Sequence, residues 1–178
     1  MNKKVLIIFF ILGCLFLSGC GANSAFLRTN QKELQFKEEN GGVLLSFAFT
    51  GNYEMVPNAI YVQEVNQYKH FKKRKIQTLS TPKPDGDGNV YLLNAKLKQG
   101  RYLLTSIGGM TKGFFRSPVF ASCCKMFDVT PGDITYIGRI KASTESSIIK
   151  DYYEEDVQFF ATKYPLIQPK KIKEDILY

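Results

Sequence analysis

Histidine is almost missing from this chain of 178 residues: His70 is the only one, and it sits inside a basic run. With no second histidine there is no H-E-x-x-H helix and no metal-spaced set of His and Cys. Nor does any serine have an identifiable His-Asp pair, so zinc hydrolysis and triad nucleophilic catalysis lose their usual residues. Cysteine is scarce as well, at positions 14, 20, 123 and 124, and no C-x-x-C occurs. The glycine-containing stretch 108–113 lacks the spacing and the Lys-Ser/Thr of a P-loop, which leaves a phosphate cradle unsupported. Lys and Arg number 24 against 16 Asp and Glu. No recognition helix or aromatic-rich RNA motif accompanies that basic balance, so nucleic acid is not an expected partner. No cofactor and no enzyme activity are expected.

What the chain does have is concentrated at its start. Lys3 and Lys4 form a short basic region, residues 5–17 are an apolar run of 13, and Leu17, Ser18 and Gly19 lead into Cys20. A run of that length fits the core of an export signal and falls short of the roughly 20 residues that span a bilayer as a helix. The stretch resembles the type II signal peptide of bacterial lipoproteins, with Leu17, Ser18, Gly19 and Cys20 matching its lipobox. That resemblance implies removal of residues 1–19, diacylglyceryl transfer to the Cys20 thiol and acylation of the new amino terminus. Two or more acyl chains would make membrane attachment long-lived. The expected partner is then a membrane held through Cys20, and the expected address is the cell envelope. Gly21 follows the anchor where an inner-membrane retention signal would have Asp. By resemblance to Gram-negative lipoproteins this favours the periplasmic side of the outer membrane if the cell is Gram-negative; in a Gram-positive cell the same sequence would sit on the outer face of the single membrane.

Removing 19 of 178 residues leaves 159, enough for one domain with a real core, and removing Lys3 and Lys4 lowers the net charge from +8 to +6. Residues 20–30 read as a flexible tether, 31–145 as a β-domain, 146–165 as a helical segment and 166–178 as a polar tail whose candidate anchors are Ile172, Ile176 and Leu177. Alternation over residues 43–50 places Val43, Leu45, Phe47 and Phe49 on one strand face, and Ile60 and Val62 form a second inward pair. Strands are also expected over 75–79, 90–95, 101–107, 114–129 and 134–142, the last with Tyr136 and Ile140 sharing a face. Pro82 to Asn89 reads as a loop, and 108–113 as a mobile connection in which glycine supplies positive φ or a close backbone approach. Tyr153, Val157, Phe160, Ala161 and Tyr164 make one apolar helical stripe ended by Pro165, for packing on a sheet. The acids Glu154, Glu155 and Asp156 fit the start of that helix through its dipole.

Three local patterns leave a choice open. Asp85, Asp87 and Asn89 superficially match a calcium loop but lack the bidentate Glu at its twelfth position, where Lys96 stands; the other account is a solvated hairpin turn. Cys123 and Cys124 are either small buried apolar residues or partners in a strained or intermolecular disulfide, with a redox or metal role least supported. Lys69, Lys72, Lys73, Arg74 and Lys75 are either an edge strand guarded by lysines or a footprint for an anionic surface, polymer or protein.

Residues 100–104 (G-R-Y-L-L) and 127–138 (F-D-V-T-P-G-D-I-T-Y-I-G) resemble the G-x-Y strand and the F-x-V-x-P-G-x-x-x-Y-I-G hairpin of transthyretin-like, carboxypeptidase-regulatory-type β-sandwiches. The similarity covers about residues 42–142. It implies a mainly β fold, an antiparallel β-sandwich of about seven strands with one C-terminal helix packed on it, acting as a non-catalytic binding or structural component of the envelope. An envelope hydrolase acting on glycan or peptide is the alternative, which a pocket joining distant carboxylates would favour.

Overall fold

The computed structural model describes residues 36, 38–51, 53–65, 73–85, 88–143 and 145–175. The anchor and signal positions Leu17, Ser18, Gly19 and Cys20, together with Lys69, His70 and Lys72, lie outside these residues. Within them the chain is mainly β, with two sheets and one helix. The strands are β1 Asn40–Phe49, β2 Met55–Glu64, β3 Lys73–Gln77, β4 Leu79–Asp85, β5 Gly88–Lys98, β6 Gly100–Thr111, β7 Pro118–Val129, β8 Ile134–Ala142, β9 Ser147–Lys150 and β10 Ile172–Glu174; the helix is Tyr153–Lys163.

The larger sheet runs β10-β8-β1-β5-β4, with β9 also paired to β8; the smaller runs β3-β2-β6-β7. Their facing sides share one core. Val43, Leu45 and Phe47 of β1 meet Ile60 and Val62 of β2, and Tyr102, Leu104 and Phe127 of the smaller sheet complete the contact. A second apolar cluster lies on the other side of the larger sheet, where Val157, Phe160 and Tyr164 of the helix cover Leu44, Leu92, Ile134 and Tyr136. Strand alternation produces both: odd positions of β1 face the smaller sheet while Leu44 and Ser46 face the helix.

Several expectations need correction. Ten strands, not about seven, occur among the described residues, and the pairing is not purely antiparallel, because β8 runs parallel to both β1 and β10. Residues 82–85 and 88–89 are strand and not loop: β4 and β5 pair as far as Asp85 with Gly88, so the prolines sit on an edge strand, where a missing N–H costs least. β6 continues through Gly108 and Gly109 to Thr111, so that stretch is sheet rather than a mobile connection. Ser147–Lys150 is a strand ahead of the helix, and Ile172 is buried in β10, which makes the tail part of the larger sheet.

The face of β8 also changes along its length. Tyr136 contacts the helix side, whereas Ile137 and Ile140 enter the core between the sheets. The pairing with β1 slips between Leu44 and Ser46, opposite Tyr136 and Arg139, and Gly138 there has φ of 103°. One extra residue in the bulge inverts the alternation downstream. A left-handed backbone at that position suits glycine.

Glycine also permits a close approach at position 109. A Cβ there would stand 2.4 Å from the Val56 carbonyl oxygen and 2.9 Å from Pro57 Cα. Both obstacles are backbone and cannot swing aside. Gly109→Ala is therefore expected to destabilise the domain by about 1–3 kcal/mol, the range for overpacked sites, read as a lower midpoint in urea unfolding.

Candidate functional site

The outward face of the smaller sheet carries an open groove of about 590 Å³, lined by Tyr61, Lys73, Lys75, Thr105, Ser106, Phe120 and Ser122. Alternation along β3 sends Lys73 and Lys75 to this face and Arg74 to the other, where its guanidinium pairs with Glu64 at 3.3 Å. Tyr61 and Phe120 meet edge-to-face with ring centroids 5.5 Å apart, and Lys73 Nζ stands 5.3 Å from the Tyr61 centroid. Gly108 makes room for the two rings: a Cβ there would lie 2.7 Å from the Tyr61 ring and 3.2 Å from that of Phe120. The Thr105 hydroxyl donates to the Tyr61 carbonyl at 3.1 Å. The groove therefore combines cations, aromatic faces and hydroxyls, suited to an anionic chain with apolar ring faces.

The basic run thus divides. Lys73 and Lys75 reach the groove, Arg74 does not, and Lys69 and Lys72 lie outside the described residues. Because β3 is an edge of its sheet, its lysines also fit the guarding of an open edge against another strand. The sequence did not single out Tyr61 or Phe120, and it marked Gly108 only as a place for close approach, since the pairing that joins β2, β6 and β7 is a long-range property.

Cys123 is buried and Cys124 exposed, and both are free. Burial, then the neighbouring Cys124, pushes the Cys123 thiol up to about 12, so it behaves as a small apolar residue. Cys124 departs from that account by facing solvent. Asp85 ends β4 and Asn89 lies in β5, while Asp87 is outside the described residues.

No protein family and no curated protein matches the chain. Among solved structures it is similar to a leucine-rich repeat protein from Bacteroides thetaiotaomicron, with a TM-score of 0.39 and 14% identity over 71% of this chain. The match spans 16% of that protein's chain, and a score at this level carries no conclusion about fold or function.

A second polar cluster lies beneath the helix. Asp156 keeps its place among the acids of the first helical turn, but it is fully buried, which its position in the sequence did not show. Its carboxylate accepts from the Ser46 hydroxyl of β1, from the Tyr136 hydroxyl of β8 at 2.6 Å and from the Arg139 guanidinium of β8. Arg139 is 1% exposed; it also donates to Glu155 at 3.0 Å and lies over the Tyr152 ring, 3.9 Å from its centroid. Lys83 of β4 pairs with Glu155 and stands 3.9 Å from Asp156.

Burial opposes the charge on Arg139, but the Asp156 and Glu155 carboxylates outweigh it and hold the guanidinium above its ordinary value. Burial, reinforced by the Asp156 charge, raises the Tyr136 phenol well above its usual range. The Ser46 hydroxyl adjoins a carboxylate, yet both residues are fully buried, so the arrangement joins structural elements and offers a substrate no approach.

A shallow acidic cleft of about 380 Å³ lies at the helix start, lined by Asp151, Tyr152, Tyr153, Glu154, Glu155 and Glu174. Burial and then the Asp151 charge raise the Glu174 carboxyl above its ordinary value. The Asp151 carboxylate, just ahead of the helix, accepts from the Tyr153 N–H at 2.8 Å.

Removing one member of a buried ion pair strands the other. Asp156→Asn is expected to cost about 3–5 kcal/mol, measured by chemical denaturation, with Arg139→Met plus Asp156→Leu costing less than the two single changes added. The Lys83 hydrogen bond, opposed by partial burial and assisted by Arg139, holds Glu155 below its ordinary value of 4.5. Its contribution to stability is present above about pH 4.5 and is lost as pH falls through the lower folded-state value. Between pH 7 and pH 3 the melting temperature of Glu155→Gln should accordingly fall less than that of the parent.

Proposed function

We propose that this chain is a lipid-anchored cell-envelope protein, held to the membrane through Cys20 on the periplasmic side of the outer membrane, whose domain binds an anionic envelope polymer without covalent chemistry. The finer fold we propose is the transthyretin-like, carboxypeptidase-regulatory-type β-sandwich. Support for it comes from Tyr102 and Phe127, whose rings stack 5.8 Å apart in the core, and from the turn at Gly132, with φ of 75°.

The observation that carries the binding reading is the convergence of Lys73, Lys75, Tyr61 and Phe120 on one open groove. A linear polymer can lie along an open face, its charged groups against the lysines and its apolar ring faces against the aromatics. Flexible lysines in solvent give modest, salt-sensitive affinity at each contact, and a repeating ligand compensates by offering many equivalent contacts.

The hydrolase reading has its own observation, the Asp151 and Glu174 carboxyls at the acidic cleft. That cleft is shallow and lined by acids and two tyrosines, whereas the groove on the smaller sheet brings cations and apolar rings together on one face. The binding reading is therefore preferred.

Lys73→Glu plus Lys75→Glu should lower affinity for purified lipopolysaccharide at least tenfold at low salt, with the difference from the parent shrinking as salt rises. Phe120→Ala should weaken binding with little change in salt dependence. Binding unaltered by all three substitutions removes the groove from the proposal. Progressive shortening of an envelope glycan, abolished by Glu174→Gln, would establish the hydrolase instead. Mass analysis of the amino terminus tests the anchor separately: an unmodified Cys20, or an intact segment 1–19, ends that part.

A further inference from the structure

The hairpin joining β6 to β7 ends in Lys112, Gly113, Phe114, Phe115, Arg116 and Ser117, all exposed. Phe114 is 94% and Phe115 84% exposed, the two most exposed large apolar side chains among the described residues. They are adjacent, in edge-to-face contact with centroids 5.1 Å apart. The tip carrying them is fixed by its own backbone bonding. Thr111 donates through its N–H to the Ser117 carbonyl at 2.9 Å and through its hydroxyl to the Phe115 carbonyl at 3.2 Å, and the same hydroxyl accepts from the Ser117 N–H at 2.9 Å. The Lys112 N–H donates to the Glu54 carbonyl at 2.8 Å. Gly113, with φ of 141°, supplies a backbone conformation that side chains rarely adopt.

Charge surrounds the rings on one pattern. Lys112 and Arg116 flank them, and no acid occurs between Thr111 and Pro118. Lys112 is partly neutralised by Glu54 at 2.9 Å, which leaves Arg116 as the principal cation at the tip. Two apolar rings projecting beyond a cationic collar match the layering of an anionic bilayer, with acyl chains beneath phosphate.

We propose that this hairpin tip is a membrane-contact element, with Phe114 and Phe115 entering the interfacial region of an anionic bilayer and Arg116 meeting a lipid phosphate. Removing two phenyl rings from water corresponds to on the order of a 10²-fold gain in partitioning. One cation near an anionic surface adds about fivefold.

The contact is also compatible with an anchor at the far end of the chain. β1 starts at Asn40 and runs toward Phe49, and Thr111 pairs with Met55, which places the tip at the opposite end of the sheets from Asn40. Ten residues of β1 rise roughly 33 Å. The 16 residue steps from Cys20 to Phe36 span at most about 58 Å. An acyl group at Cys20 and the tip can therefore engage one membrane together. The tip contact does not itself require the acyl group.

The chain contains no tryptophan, so Phe115→Trp places one fluorophore at the tip. Full-length protein is reconstituted in phosphatidylglycerol vesicles, with and without brominated acyl chains. We expect blue-shifted emission, quenching by the brominated chains and protection from aqueous iodide. Adding Arg116→Glu, or changing to phosphatidylcholine, should at least halve the quenching, and Lys98→Trp, at the other end of the sheets, should remain unquenched. Emission at long wavelength, open to iodide and insensitive to brominated chains, overturns the proposal. So does a blue shift that follows protein concentration and ignores the lipid, which would assign the tip to a second copy. Failure of the lipoprotein reading is separately visible as an unacylated Cys20, in which case vesicle sedimentation of the Trp variant with and without Phe114→Ser reads the tip alone.

Discussion

Asp156 fixes the relation between the helix and the larger sheet. Apolar contact alone lets a short helix slide or rotate on a sheet, because burial has no direction. A buried carboxylate that must satisfy its oxygens has few acceptable positions. Here it takes hydroxyls from β1 and β8 and a guanidinium from β8, while Lys83 reaches in from β4. The Arg139 charge is in turn usable only where the carboxylate is. The pair thus specifies one register for the helix, and the penalty for losing either partner enforces it. Thr81 and Tyr164, with hydroxyls 2.7 Å apart, repeat the link from β4 toward the end of the helix.

That linkage depends on the bulge in β8. Strict alternation would set Tyr136 and Ile140 on one face and turn Arg139 into the apolar space between the sheets. The extra residue at Ile137 and Gly138 keeps Tyr136 and Arg139 together on the helix side and still delivers Ile137 and Ile140 to the core. A single slip in pairing therefore separates a polar cluster from an apolar one along nine residues of strand.

Local pattern made the inward face of β1, the inward pair Ile60 and Val62 and the helical stripe legible, because each depends on periods within one element; that the other face of β1 is buried too, under the helix, was not legible there. What lay beyond reach depended on partners distant in sequence. Asp156 looks like its neighbours Glu154 and Glu155 until Ser46, 110 residues away, is placed against it. Tyr61 and Phe120 become a pair only when β2, β6 and β7 align. The prolines of 82–89 read as a loop because local chemistry cannot show that β4 is an edge strand. Of the basic run, composition located the charge, but only strand parity could show that Lys73 and Lys75 act together while Arg74 turns toward Glu64.

The two sides of the molecule treat charge in opposite ways, and this separates architecture from binding. Beneath the helix every ionic group is matched: Arg139 and Lys83 stand against Asp156 and Glu155, and a low-dielectric setting would penalise any imbalance. Across the smaller sheet Lys73 and Lys75 share their groove with aromatic rings and hydroxyls, and no carboxylate lines it. Matched and buried charges hold a shape but have little left to offer a ligand. Cations facing water across an open groove add little to stability, and their field remains available to whatever anion approaches. The helix side thus has the character of a fastening, and the outer face of the smaller sheet is where recognition by charge can occur without weakening what holds the domain together.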